Sequence, residues 1–296
     1  MNGGTVDGLY YEVHGGPAAG RETVILSAGL GGSGAFWAPQ MEALLGRFRV
    51  VLYDHRGTGR SVRALPSPYA VRDMGQDIVR VADALGLERV HVVGHAAGGN
   101  AGLAMALDHP ERIGRLVVVN GWSRPDPHIK RCFDTRLALL NNTGVAAYVH
   151  AQPIFLYPAD WLSANHARLE AEEVHHVQGF PDPDVMRARI QALLDFDIDA
   201  DLERIACPVL VSASADDMLV PPACSRRLAE RLPNAELDVA PWGGHGFTVT
   251  APEAFNARVV RFLEGAGAAN PLNRFATPPP EGEHPTSRAS ASTKGD

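Results

Sequence analysis

The stretch Val92-Val93-Gly94-His95-Ala96-Ala97-Gly98-Gly99-Asn100 decides how the rest of the chain is read. A β-favouring run, Val90-His91-Val92-Val93, enters it, and a small-residue helical run from Ala101 to Leu107 leaves it. Strand, tight turn and helix around Gly94-His95-Ala96-Ala97-Gly98 have the form of a nucleophile elbow, G-x-S-x-G. Such a turn holds its central residue in a strained conformation above the sheet edge. Its flanks stay small so that strand and helix can approach. Here the central residue is Ala96, which has no nucleophilic atom. The frame is present and the reacting oxygen is missing.

Outward from the elbow, short apolar runs alternate with amphipathic ones. Leu9–His14, Thr23–Ser27, Phe48–Tyr53, Arg115–Asn120, Pro208–Ser212 and Ala235–Val239 read as strands. Between them, helices are expected after the glycine loop (Phe36, Trp37, Met41, Leu44 and Leu45 inward), from about Met74 to Leu85, near Ser225–Leu232 and through Phe255–Phe262. This rhythm predicts an α/β fold whose mostly parallel sheet is flanked by helices. It breaks after Trp122, where the chain turns helical and richer in charge and aromatics. The expected organisation is a core over 1–124, an inserted helical cap over 125–201, the rest of the core over 202–265, and a disordered Gly/Pro/Ser/Thr-rich tail over 266–296.

Composition bounds the function classes. With 296 residues, 45% of them apolar, there is ample material for a buried core. A net charge of -7 without a basic stripe argues against a nucleic-acid partner. No charged-then-apolar leader and no membrane-length apolar run occur, so a cytoplasmic protein without a membrane partner is expected. Cys132, Cys207 and Cys224 show neither disulfide nor metal-ligand spacing and read as reduced thiols. A small molecule is the expected partner, with no cofactor and no metal; oligomeric state, a homodimer included, stays open.

Two elements fall where an elbow needs them. Asp216-Asp217-Met218-Leu219-Val220-Pro221 follows a strand, and Asp217 is preferred as the acid for its D-x-x-x-P spacing. His245 sits in a glycine loop after the last strand. A carboxylate on one ring nitrogen fixes the tautomer and leaves the other as a base. A single Asp or His of this kind is commonly a cap or a surface residue; the order elbow, acid, histidine is what argues for a site. In that frame the N–H groups of Leu30 and Ala97 form an oxyanion hole.

The loop Gly29-Leu30-Gly31-Gly32-Ser33-Gly34 also spells G-x-G-x-x-G, and Asp54 ends the next strand at the offset of a ribose-binding acid. A dinucleotide site is therefore an alternative, though it leaves the elbow, Asp217 and His245 unexplained. His91 and His95 lie on a strand and turn and do not converge on a metal; His95 is expected to pack near the site. His175 and His176 point to solvent. Gly29, His95, Trp122, Arg124 and Trp161 are candidate substrate contacts; Trp37 and Tyr157, like Trp122 and Trp161, could line a pocket, although buried aromatics are more often core. Arg131 and Arg136, like Arg124, are candidates for a substrate carboxylate, although surface or salt-bridge roles are commoner for any one of them.

With these motifs and Asp54-His55-Arg56-Gly57-Thr58-Gly59-Arg60-Ser61 in place, the chain resembles the α/β-hydrolases from about residue 20 to 265. Within them, Asn120-Gly121-Trp122, Arg131-Cys132-Phe133, the run Ala151 to Trp161 and Arg168-Leu169-Glu170-Ala171-Glu172 resemble the RutD family, the aminoacrylate or carbamate hydrolases of a pyrimidine-degradation pathway. The resemblance implies that Ala96 is native to the elbow. It also implies ammonia release from aminoacrylate or carbamate by water attack, assisted by His245 and Asp217 without a covalent intermediate. Other readings stay open: a serine-type esterase or C–C hydrolase whose elbow serine became Ala96, a non-catalytic binding protein and, last, an NAD-binding oxidoreductase.

Overall fold

The computed structural model describes residues 2–16 and 21–265. Runs rich in Val, Ile and Leu have no polar face to turn to water, so they stack as parallel strands with both faces covered. They are β3 (Thr23–Ser27), β4 (Arg49–Tyr53), β5 (Val90–His95), β6 (Ile113–Val119), β7 (Val209–Ser214) and the less buried β8 (Ala235–Ala240). Two N-terminal strands, β1 (Asn2–Val6) and β2 (Leu9–His14), add an antiparallel edge. The order is β1-β2-β4-β3-β5-β6-β7-β8, with the elbow strand β5 inside the sheet.

Successive residues of each strand serve opposite cores. Ile25, Val51, Val92, Leu116 and Val211 join one cluster, while Val24, Leu26, Val50, Val93 and Leu210 join the other. The first core is covered by α2 (Val71–Ala84) and α3 (Ala97–Asp108), the second by α1 (Met41–Leu45) and, late in the chain, residues such as Phe255 and Phe262. This is the expected α/β architecture.

From β6 to β7 the described chain is helical: α4 (Pro127–Asn142), α5 (Val145–Leu156), α6 (Ala159–Ala164), α7 (His166–Gln178) and α8 (Pro183–Leu194). Asp126 and Asp182 cap α4 and α8 by accepting N–H bonds from His128 and Asp184, with Pro at the first helical position of each. A 3-10 stretch, Asp199–Arg204, returns the chain to the core. There the buried Asp199 carboxylate accepts from Ser123 Oγ at 2.6 Å and pairs with Arg227 and Arg231 of α9 (Pro222–Arg231). Two helices, α10 (Phe247–Thr250) and α11 (Pro252–Leu263), complete the fold.

Several expectations need correction. Strand β1 is absent from the sequence reading because Asn2-Gly3-Gly4-Thr5-Val6 has no apolar alternation. The hairpin is set instead by Asp7-Gly8, whose φ values of 47° and 79° suit a tight turn. The helix after the glycine loop is split into a 3-10 stretch, Gly34–Gln40, and α1; Pro39 lies within the first part and supplies no N–H. α2 starts at Val71 rather than near Met74. The tail at 266–296 lies outside the described residues, as do 17–20 with Pro17 of the first turn. Among the described residues, no helix is long and apolar enough to cross a membrane.

Candidate active site

At the end of β5 the backbone turns through Ala96 at φ 47°, ψ −108°, a region that L residues avoid. Gly94 and Gly98 make the turn sterically feasible. A Cβ on Gly98 would run into the Ser27 and Ala28 carbonyl oxygens, and one on Gly94 into the backbone of Gly98. Ala96 N–H donates to Val119 C=O (2.7 Å), and Ala96 C=O accepts from Asn100 N–H (2.9 Å). The elbow is therefore fully formed around a methyl group. Ala97 is the first residue of α3, where N–H groups have no partner within the helix.

The β7 and β8 loops bring the acid and the histidine together. His245 Nδ1–H donates to Asp217 Oδ2 at 2.8 Å. Asp217 Oδ1 accepts from the N–H groups of Leu219 (2.8 Å) and Val220 (2.9 Å), so both carboxylate oxygens are engaged. Both residues are buried. With Nδ1 carrying the proton, Nε2 is the lone-pair nitrogen. Asp216, the acid not preferred, has a different task. It accepts from Gly243 and Gly244 N–H and from Ser214 Oγ, which ties the histidine loop to β7.

The carbonyl of His245 is clamped by two side chains. Asn120 Nδ2 donates to it at 2.8 Å and His95 Nε2 at 2.9 Å. His95 thus holds its proton on Nε2. Its buried Nδ1 has no partner, and its rings meet those of Phe36 and His245 at 4.8 and 4.7 Å. Burial, with the neighbouring His245 adding to it, pushes the His95 pKa down to about 3 and keeps the ring neutral. Gly29 makes room, since a Cβ there would lie 2.8 Å from His95 Nδ1. Asn120 was missed from the sequence. Its one local sign is a polar residue ending a buried strand, here with φ 50°.

The glycine loop is held from both sides. Asp54 accepts from Gly34 N–H (2.8 Å) and from Arg60 N–H and Nε (2.9 and 2.8 Å), which leaves no free carboxylate for a ribose. Two strands, β1 and β2, also precede in the chain the strand that enters the loop. The dinucleotide reading is therefore set aside. From the cap side, the fully buried Arg189 of α8 donates to Leu30 C=O (3.1 Å), Arg56 C=O (2.9 Å) and His55 Nδ1 (3.3 Å). Nothing in the sequence distinguishes Arg189 from other helical arginines.

Of the other candidates, Trp122 is fully buried in the core, with its N–H on Asn100 Oδ1. Trp161 is half-buried and packs on Tyr157, whose ring edges Gly246. Arg124 and Arg131 are exposed, whereas Arg136 is buried. His175 and His176 are exposed, and the cysteines are free thiols whose pKa values burial raises.

Comparison with known proteins agrees with this fold. The profile of a family described as "alpha/beta hydrolase fold" matches residues 22–252. A protein of Caulobacter sp. (strain K31) named "Putative carbamate hydrolase RutD" is 81% identical over 268 residues, covering 90% of this chain and all of that one. One of the same name from Variovorax paradoxus (strain S110) is 54% identical, covering 88% and 97%. Among solved structures, a hydrolase from Pseudomonas aeruginosa PA01 superposes with a TM-score of 0.77 at 30% identity, covering 88% of this chain and 94% of that one. The enol-lactonase from Burkholderia xenovorans LB400 gives 0.80 at 27%, covering 89% and 100%. An elbow built around Ala96, facing an intact acid–histidine pair, thus belongs to a chain that is a member of the RutD family of α/β-hydrolases.

Proposed function

We propose that this chain cleaves the C–N bond of a small carboxylate anion without a side-chain nucleophile, by adding water to aminoacrylate or by transferring a proton to carbamate. One observation carries the reading: an oriented Asp217–His245 pair beside an elbow centred on Ala96. Ester or amide hydrolysis by the usual route needs an oxygen nucleophile to form an acyl-enzyme. These two substrates do not. Aminoacrylate tautomerises to an imine, water adds to the imine carbon, and the carbinolamine expels ammonia to leave malonate semialdehyde. Carbamate takes a proton on nitrogen and separates into ammonia and carbon dioxide. Both need proton transfer at His245 Nε2 while Asp217 holds Nδ1–H: Nε2 accepts the proton of the attacking water in the first reaction, and passes a proton taken from solvent to the carbamate nitrogen in the second. In this reading the Leu30 and Ala97 N–H groups stabilise charge developing on the substrate. The name borne by the relatives supports the carbamate arm.

The test is the decay of each substrate, generated in situ, with wild type, His245→Ala and no protein. General acid–base help typically contributes roughly 10²–10⁴-fold, so His245→Ala should return the rate to near the spontaneous one. Equal decay in all three samples, for both substrates, would sink the proposal. Ala96→Ser, assayed on aryl esters, separates the serine-hydrolase alternative: a burst of product would show that the site is already built for acyl transfer.

A further inference from the structure

A guanidinium buried without a counter-ion is costly, and its donors need acceptors. Arg136 of α4 is 4% exposed and pairs with no carboxylate among the described residues. Its Nη2 donates to Tyr148 Oη at 2.6 Å and to Gln152 Oε1 at 3.3 Å, both on α5. Buried Nε has no partner among the described residues. The rings of Phe133, Tyr148 and Phe155 lie 4.9 to 5.8 Å from the guanidinium carbon, an aromatic surround that favours a cation without neutralising it.

The helices that hold this cation also touch both halves of the candidate site. One turn before Arg136, Cys132 Sγ lies 3.8 Å from the carbonyl of Met218, the residue after Asp217. On α5, Phe155 precedes Leu156, whose carbonyl accepts the N–H of Gly246, the residue after His245 (2.8 Å). Gln152, Phe155 and Leu156 are only half-buried, so this face of α5 is within reach of a small solute. The Cys132 thiol feels the charges of both Arg136 and Asp217, which agrees with their closeness. The other buried cap arginine, Arg189, also lacks a carboxylate and an Nε partner among the described residues, but it differs in that both its Nη groups are engaged, with three core acceptors.

We propose that Arg136, oriented by Tyr148 and Gln152, receives the carboxylate of the substrate and selects anionic over neutral molecules. The proposal rests on the reaction class proposed above for its choice of substrate, and on the unpaired buried guanidinium for its site. Of the candidates Arg124, Arg131 and Arg136, it gives the anion-binding role to the one that is buried. A planar fork of donors binds a carboxylate more strongly than an ammonium group does.

Binding can be tested without turnover. Sodium propanoate and its neutral isostere propanamide would be titrated calorimetrically into the full-length wild type, Arg136→Gln and Arg136→Lys. The expected result is that wild type prefers propanoate. Arg136→Gln should weaken propanoate by about tenfold or more, equivalent to about 1.4 kcal/mol, and leave propanamide unchanged. Arg136→Lys, which keeps the charge and loses the fork, should fall between them and decides the matter if the glutamine variant does not fold. In turnover, KM for the anion should rise while kcat changes little. Absence of a preference for propanoate in wild type, or equal losses for both ligands in the variants, would overturn the proposal. Arg136-dependent propanoate binding in a chain that accelerates neither substrate would remove the proposed reaction and keep the anion site. Turnover with unaltered propanoate binding in the variants would do the reverse.

Discussion

His245 depends on Asp217 for more than charge. Because Asp217 accepts Nδ1–H, the lone pair lies on Nε2; an amide at position 217 could donate to Nδ1 and reverse that tautomer. Asp217→Asn should therefore lower the proposed activity by at least about 10²-fold while leaving the far-UV spectrum intact. Activity within about twofold of wild type would show that the pair is structural. Asp216→Asn is the informative control, since Asp216 fixes the loop through Gly243 and Gly244 and never touches the ring. The choice of Asp217 over Asp216 was legible from its spacing to Pro221, because an acid loop is a local structure. The clamp on the His245 carbonyl was not, because Asn120 and His95 reach it across more than a hundred residues of chain.

At the scale of elements, the glycine loop and the cap meet through Arg189. Its guanidinium joins α8 to the Leu30 carbonyl and to the turn at Arg56, so the glycine loop is held by a cap residue as well as by Asp54. Arg189→Met removes three hydrogen bonds and leaves one buried acceptor, on His55, and two partly buried ones, on Leu30 and Arg56. A cost of roughly 1–3 kcal/mol for each unsatisfied group sets the scale of the loss, moderated by relaxation. A clear fall in the urea midpoint is expected, with a lowered kcat if Leu30 serves as an oxyanion donor. An unchanged midpoint would mean that the cap is docked without this anchor. Hydrophobic periodicity shows that α8 has a buried face; it does not say which long side chain crosses to the core.

For the whole molecule, buried neutral histidines set the response to acid. Burial pulls the pKa of His95 down to about 3, that of His55 well below its ordinary value, and that of His91 down as well. The unfolded chain binds protons at these residues from about pH 6.5 downward while the folded chain does not. Stability is therefore fully present above that value and is lost as pH falls towards the folded pKa values. Each histidine that stays neutral costs up to about 1.4 kcal/mol per pH unit, or about 2 kcal/mol at pH 5. Asp199, held below the usual carboxylate range chiefly by its bond to Arg227, adds a loss only at lower pH, below about 4. Urea unfolding should give a plateau near pH 7.5–8 and a clear decline by pH 5. A flat profile over that range would refute this account.

The sequence by itself determined the α/β alternation, the elbow and the order of acid and histidine. Each of these is written in contiguous residues: apolar strands, glycines where a Cβ has no room, and a carboxylate a fixed distance from a proline. It also carried the family resemblance, through long runs such as Ala151 to Trp161. What only the tertiary structure decided is which polar groups become buried neighbours. Arg124, Arg131 and Arg136 are equivalent on paper, and burial separates them. Asp54 looks like a ribose ligand until Gly34 and Arg60 are seen to occupy it. Those distinctions arise from desolvation and from contacts between distant segments, and no local pattern encodes either.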